Sequence, residues 1–177
     1  MSRRFVFLDR DGTLVRDGGY THALADYALL PGVRPGLRRL VDAGYRLAII
    51  TNQSGIARGY YDEPAFHAFQ AHLAADLATT GIGFEASLFC PHLPDAGCRC
   101  RKPAPGLLWR ARDELGADLG ASWVIGDRAS DALLAENAGC RGAVIVGAGS
   151  GDAAELPGGV ARVRDLEDAA VRILAAG

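Results

Sequence analysis

The chain has 177 residues, a formal net charge of -2 and 23% charged residues, and no apolar run approaches the ~20 residues of a membrane span. This balance gives no bulk electrostatic reason to bind nucleic acid or an anionic membrane, and the length suits one domain, residues 1–177, with a full hydrophobic core. Lysine and arginine number 19 together, yet Lys102 is the only lysine. Where arginine serves everywhere else, the surviving lysine is a candidate for a site that needs a compact ammonium group.

In chain order, the basic start at Arg3-Arg4 runs straight into an apolar stretch and then into Asp9, which is not the pattern of a secretory signal. A cytoplasmic location is the default expectation. Residues 5–9 read as a buried strand, because a continuous Phe-Val-Phe-Leu run fits a sheet covered on both faces. Residues 31–43 read as a helix, with Pro31 at its start and Gly44 at its end; residues 46–50 are a second buried strand ending at Thr51. Residues 63–80 place Phe66, Phe69, Leu73 and Leu77 on one helical face, stopped by Gly81. A short strand at 86–89 leads into Cys90, and a helix at 105–115 ends at Gly116. A strand at 122–125 leads into Gly126-Asp127, and a helix at 129–138 ends at Gly139. A strand follows at 143–146. The Gly-, Ala- and Ser-rich stretch 147–159 reads as loop, and a last helix covers 166–175. Repeated strand–helix units imply an α/β fold: a parallel sheet with helices on both faces.

Four predicted strand ends carry polar clusters: Asp9/Asp11, Thr51/Asn52/Gln53, Cys90/His92 and Asp127. In a parallel sheet these ends share one edge, so residues far apart in sequence converge on one crevice. Two carboxylates one residue apart at a buried strand end are costly unless a cation or a reaction uses them. An ordinary Asp-x-Asp-Gly turn is the plain alternative, and a calcium loop would need further acids downstream. Separately, Cys90, His92, Cys98 and Cys100 form Cys-x-His-x5-Cys-x-Cys, a ligand set for a closed tetrahedral structural zinc site in a small loop at about 90–101. Cys140 stands apart and reads as a small buried hydrophobe.

Asp9-Arg10-Asp11-Gly12-Thr13-Leu14 resembles the first motif of the haloacid dehalogenase-like (HAD) phosphohydrolases. Thr51 resembles their second motif, Lys102 in Arg101-Lys102-Pro103 their third, and Gly126-Asp127 their fourth. Asp131 is left as a partner of Asp127 or merely a residue of the helix's first turn. The resemblance implies a HAD-like Rossmannoid sheet with no large cap domain. It also implies a Mg2+-dependent phosphomonoester hydrolase acting through an aspartyl-phosphate. In that scheme Asp9 is the nucleophile and Asp11 the acid–base. Thr51 and Lys102 hold the phosphoryl oxygens, and Asp9, Asp11 (through its backbone carbonyl) and Asp127 hold the Mg2+.

Within HAD proteins, the Asp-Arg-Asp-Gly-Thr start, Thr51-Asn52-Gln53 and the Cys-Pro-His … Cys-x-Cys-Arg-Lys-Pro loop resemble one capless branch. It contains the D-glycero-D-manno-heptose 1,7-bisphosphate 7-phosphatases and the bacterial histidinol-phosphate phosphatases. Asp17-Gly18-Gly19-Tyr20 and Thr51–Gly59 look more like the heptose enzymes; the short zinc loop and Gly126-Asp127-Arg128 look more like the histidinol ones. Arg99, Arg101 and Arg128 favour a substrate with a second phosphate over one carrying amine cations. The expected substrate side is lined by Asp17, Gly18, Gly19, Tyr20, Asn52, Gln53, Ser54, Arg101 and Arg128. A small phosphorylated sugar is the expected partner of a monomeric protein. A receiver-like phospho-Asp signalling domain and a non-catalytic zinc-stabilised binding module are the readings from other classes. Neither needs Asp11.

Overall fold

Six strands form one parallel sheet in the computed structural model, which describes residues 3–147 and 156–177. They are β1 (Phe5–Leu8), β2 (Arg46–Asn52), β3 (Ala86–Cys90), β4 (Trp123–Gly126), β5 (Gly142–Val146) and β6 (Ala161–Val163), in the order β3-β2-β1-β4-β5-β6. Among the described residues the α-helices are α1 (Val33–Asp42), α2 (Glu63–Ala78), α3 (Gly106–Leu115), α4 (Ala129–Ala138) and α5 (Leu166–Ala176). Among the described residues, no helix is long and apolar enough to cross a membrane.

The unbroken apolar run of β1 follows from its place at the centre of the sheet. Successive side chains point to opposite faces. Val6 and Leu8 join one core with Leu37 and Leu40 of α1, Phe69, Leu73 and Leu77 of α2, and Ile173 of α5. Phe5 and Phe7 join a second core with Leu107, Leu108 and Ala111 of α3 and Ala132, Leu134 and Ala135 of α4. Both faces are therefore covered, and no position of β1 tolerates a polar side chain until the strand ends at Asp9. The expectation of an α/β fold with helices on both faces holds.

Local signals place the helices. Asp62 caps α2 by accepting from the Ala65 N–H at 2.9 Å, and Asp165 caps α5 by accepting from the Asp168 N–H at 3.0 Å. Gly116 and Gly139 end α3 and α4 in the left-handed conformation. Helix α1 begins two residues later than Pro31 suggests. Gly32 sits at φ 77°, outside the helical region, and holds the turn that brings the chain against Asp165. Strand β6 is absent from the sequence reading, which took 147–159 as loop and went directly to the last helix. The strand is three residues long and lies at the edge of the sheet, too short to show alternation. Most of that loop, residues 148–155, lies outside the described residues.

The chain leaves β1 for β2 and β3 on one side, then returns to place β4 on the other side of β1. The two halves part at the carboxyl ends of β1 and β4, where such sheets form their ligand crevice. At the α1–α5 crossing, a Cβ on Gly36 would lie 2.5 Å from the Leu166 carbonyl oxygen. Gly36→Ala is expected to cost about 1–3 kcal/mol through this overpacking. A urea unfolding midpoint equal to that of the unsubstituted chain would contradict the close packing.

Candidate active site

The crevice is built from strand ends. Asp9 follows β1, Thr51 and Asn52 close β2, Cys90 closes β3, and Asp127 follows β4. Lys102 comes from the loop between β3 and α3 and reaches across the sheet. Its Nζ donates to Asp9 Oδ1 at 2.7 Å, to Asp131 Oδ1 at 2.7 Å and to the Ile50 carbonyl at 3.1 Å. All three ammonium protons are thus used, and the side chain is only 4% exposed. Burial alone would strip its proton, but the carboxylates of Asp131 and Asp9 outweigh that and hold its pKa above the usual lysine range. The single lysine therefore carries a charge that two acids require. An arginine fork has neither the compact shape nor the three-fold donor geometry for this position.

Asn52 fixes the loop that delivers this lysine. Its Oδ1 accepts from the Lys102 N–H at 3.0 Å, and its Nδ2 donates to the Lys102 carbonyl at 3.3 Å. Asp131, left without a role by the sequence, has two. It pairs with Lys102, and its Oδ2 accepts from the Arg128 N–H at 3.2 Å at the start of α4. Gly126 leaves the space for it, since a Cβ there would lie 2.2 Å from the Asp131 carboxylate.

The acids Asp9, Asp127 and Asp131 bring ligand oxygens within 4.8 Å of one another, an arrangement that could hold a metal ion. With Asp131 engaged by Lys102 and the α4 N-terminus, Asp9 and Asp127 remain as the donors. Asp127 Oδ1 is buried without a hydrogen-bond partner among the described residues. Burial, with Asp9 and Asp131 adding to it, pushes the Asp127 pKa up to about 8. An orphaned, partly neutralised carboxylate beside a second acid is what a divalent cation would relieve. Gly12, at φ 82°, lies against Asp127: a Cβ there would meet Oδ2 at 2.3 Å. The Gly of Asp-Arg-Asp-Gly-Thr is therefore required both by the turn and by the acid across from it.

Asp11 turns away from Lys102 and lies against Arg10, whose Nε and Nη2 donate to its carboxylate at 3.0–3.1 Å. Burial raises the Asp11 pKa, and Arg10 works against that rise. Gln53 Nε2 donates to Asp11 Oδ2 at 2.9 Å and to Thr51 Oγ1 at 2.8 Å. Thr51 thus spends acceptor capacity on Gln53 and keeps its hydroxyl proton for another acceptor.

Of the residues expected on the substrate side, Asp17, Gly19, Tyr20, Asn52, Ser54, Arg101 and Arg128 line a cavity of about 490 Å³ together with Asp9, Asp11 and Lys102. Gln53 also borders it but is 3% exposed, with its amide turned into the protein. Gly18 is not part of the lining; its N–H donates to Thr21 Oγ1 at 3.0 Å and shapes the preceding turn. Tyr20 holds a left-handed backbone at φ 56°, a strained position for a tyrosine, with its ring edge-on to Tyr60 at 4.8 Å. Arg128 pairs with Asp17 at 3.1 Å. Sequence reasoning missed Arg58 and Tyr61, which also line the cavity. Arg58 belongs to the Thr51–Gly59 motif and Tyr61 lies two residues beyond it, and no local signal shows that either faces inward.

Cys90, His92, Cys98 and Cys100 converge as the spacing predicts. Cys90 Sγ lies 3.6 Å from Cys98 Sγ and 3.5 Å from His92 Nδ1, and His92 Nδ1 lies 3.2 Å from Cys100 Sγ. A tetrahedron with ~2.3 Å metal–sulfur bonds has edges of about 3.8 Å, so this quartet could hold a zinc ion. Cys140 is separate: it packs beside the second core, and burial pushes its thiol up to about 12.

Comparison with known proteins agrees with this geometry. Residues 99–169 match the HAD-hydrolase-like family model. The chain is 40% identical over 162 residues to a D-glycero-beta-D-manno-heptose-1,7-bisphosphate 7-phosphatase of Haemophilus ducreyi, covering 88% of this chain and 89% of that one. It is 39% identical over 145 residues to the protein of the same name from Escherichia coli K12, covering 77% and 76%. The crystal structure of D,D-heptose 1.7-bisphosphate phosphatase from B. bronchiseptica, complexed with magnesium and phosphate, superposes with a TM-score of 0.89 at 32% identity, covering 98% of this chain and 99% of that one.

The raised Asp127 pKa gives a test of the acidic cluster. Between the ordinary carboxylate value of 3.8 and about 8 the folded protein holds a proton that the unfolded chain has released, so metal-free stability falls as pH rises through that window. A divalent cation must displace this proton, so its stabilising effect grows with pH. The Mg2+-induced rise in Tm is expected to be larger at about pH 8.5 than at about pH 6. A rise independent of pH would contradict the assignment of Asp127.

Proposed function

The chain belongs to the HAD phosphatases, in the branch of the heptose bisphosphate phosphatases, and on that premise we propose that it removes the 7-phosphate of D-glycero-D-manno-heptose 1,7-bisphosphate through an aspartyl-phosphate on Asp9. The observation that carries the chemistry is the buried Lys102 ammonium held 2.7 Å from Asp9 Oδ1. It sets a fixed positive charge against the carboxylate that attacks, inside a buried site where that charge is little screened.

An Asp9 oxygen attacks phosphorus as the bond from phosphorus to the sugar oxygen breaks, and Asp11 gives its proton to that leaving oxygen. Water then attacks the phosphorus of the aspartyl-phosphate, Asp11 takes the water's proton, and Asp9 is released with inorganic phosphate. The Thr51 hydroxyl donates to an equatorial phosphoryl oxygen, and Lys102, its protons given to Asp9, Asp131 and Ile50, sets its positive charge beside the phosphoryl group through both steps. Asp9, the Asp11 backbone carbonyl and Asp127 would hold Mg2+, which supplies positive charge against the nucleophile and the phosphate. Zinc on Cys90, His92, Cys98 and Cys100 would leave no open position and would fold the loop that carries Arg101 and Lys102. Unpaired thiols gathered as metal ligands suit a reducing cytoplasm.

The substrate reading rests on the cationic wall of the cavity. Arg58, Arg101 and Arg128 border it with Lys102, while Asp17 is already paired with Arg128. A second phosphate away from the reacting one suits guanidinium groups. The names of the relatives support the same choice.

Asp9→Asn is expected to abolish turnover, and kcat/KM on heptose 1,7-bisphosphate should exceed that on histidinol phosphate and fructose 1,6-bisphosphate. A clear preference for histidinol phosphate would overturn the substrate while leaving the chemistry. Removing zinc with a strong chelator should expose the 90–101 loop to proteolysis and abolish activity; an active, protease-resistant zinc-free protein would contradict the structural role.

A further inference from the structure

Among the described residues Arg10 is the largest fully buried side chain, and none of the proposed steps uses it. A guanidinium taken out of water costs several kcal/mol unless its donors are met. Here they are met on every edge. Nη1 donates to Gln70 Oε1 at 3.2 Å, Nη2 to the Thr21 carbonyl at 2.5 Å and to Gln53 Oε1 at 3.3 Å, and the plane lies 4.7 Å from the Phe69 ring centroid. The edge carrying Nε and Nη2 meets Asp11.

Neighbouring residues of an extended strand point to opposite faces, so Arg10 and Asp11 meet only because the chain turns. The N–H groups of Thr13, Leu14 and Val15 all donate to the Arg10 carbonyl, folding Asp11 back along its neighbour. Gln53 completes the arrangement. Its Oε1 accepts from Arg10 and from the Tyr61 hydroxyl, which forces its Nε2 toward Asp11 and Thr51.

We infer that Arg10, with Gln53 locked by Tyr61, is the positioning device that aims the Asp11 carboxyl at the leaving oxygen. The inference rests on the role proposed for Asp11 above. Arg10 does not touch the substrate: it is fully buried and borders no part of the cavity. Its effect passes through the orientation of Asp11, and a misplacement of about 1 Å in such a group costs roughly 10²-fold in rate. The alternative is that Arg10 only staples α2 to the strand-end turn.

The two readings separate on leaving groups. An alkoxide needs a proton as its bond to phosphorus breaks, whereas p-nitrophenolate leaves without one. In a double displacement kcat/KM reports only the steps through departure of the leaving group, so the later hydrolysis does not enter. The experiment compares kcat/KM on a sugar phosphate and on p-nitrophenyl phosphate for Asp11→Asn, Arg10→Lys and Tyr61→Phe.

Asp11→Asn is expected to lose about 10²–10⁴-fold on the sugar phosphate, the usual weight of a general acid, and far less on the aryl ester. Arg10→Lys should lose about 10²-fold on the sugar phosphate and at least about tenfold less on the aryl ester. Tyr61→Phe, which removes one hydroxyl, should show the same split at about tenfold. It carries the test alone if Arg10→Lys does not fold. Equal losses on both esters in Arg10→Lys and Tyr61→Phe, with Asp11→Asn still selective, would overturn the positioning role alone. Equal losses in Asp11→Asn would overturn the acid role of Asp11 and the inference with it.

Discussion

The Lys102 ammonium is the interaction on which the site depends. Asp9, Asp127 and Asp131 lie with oxygens within 4.8 Å of one another in a largely buried crevice. Like charges at that spacing and burial would neutralise one another by protonation. One buried cation with three donors gives two of them to Asp9 and Asp131 and leaves Asp127 as the acid with an unmet oxygen. The division of labour among three similar carboxylates is thus set by which of them the lysine reaches. Asp131 is tied to the ammonium and to the start of α4, Asp9 is paired with the ammonium, and Asp127 keeps an oxygen without a partner among the described residues.

Much of the surrounding structure serves to put that ammonium in place. Lys102 belongs to a loop outside the sheet, so its backbone must be fixed independently of any strand. Asn52 grips both its N–H and its carbonyl. The cysteine–histidine quartet gathers the residues just before it, and α3 packs so closely behind that a Cβ on Gly106 would lie 2.2 Å from the Arg99 carbonyl. Gly126 and Gly12 make room for Asp131 and Asp127 in the same way. A gathered Cys/His quartet in the loop and bare glycines beside the acids are two answers to one demand, which is to bring groups closer than side chains normally allow.

The sheet and its helices were legible because their signals are local. Apolar runs of four or five residues, helical stripes such as Phe66, Phe69, Leu73 and Leu77, and stop glycines each depend on near neighbours in the chain. The convergence of Asp9, Thr51 and Asp127 was legible too, since parallel strands deliver their ends to one edge; Lys102, in a loop, was placed with them only by the resemblance of its motif. Side-chain direction was not. Asn52 and Gln53 border the cavity as expected, but no local pattern shows that Asn52 also holds the Lys102 backbone or that Gln53 orders Asp11 and Thr51. Nothing beside Arg10 in the sequence marks it as buried. Its burial depends on Gln70 and the Phe rings of α2, some 60 residues away, and no local pattern announces such a partner. Asp131 was ambiguous for the same reason: a carboxylate in the first turn of a helix is common, and only the reach of Lys102 gives it a second task.

The most direct measurement is mass spectrometry of the protein after rapid acid quench during turnover, comparing the unsubstituted chain with Lys102→Met. A phosphoryl group on Asp9 in the former and its loss in the latter is the expected result. Release of phosphate with Asp9 never modified, or a phosphorylated Asp9 formed as readily without the lysine, would contradict the central role given to this one charge.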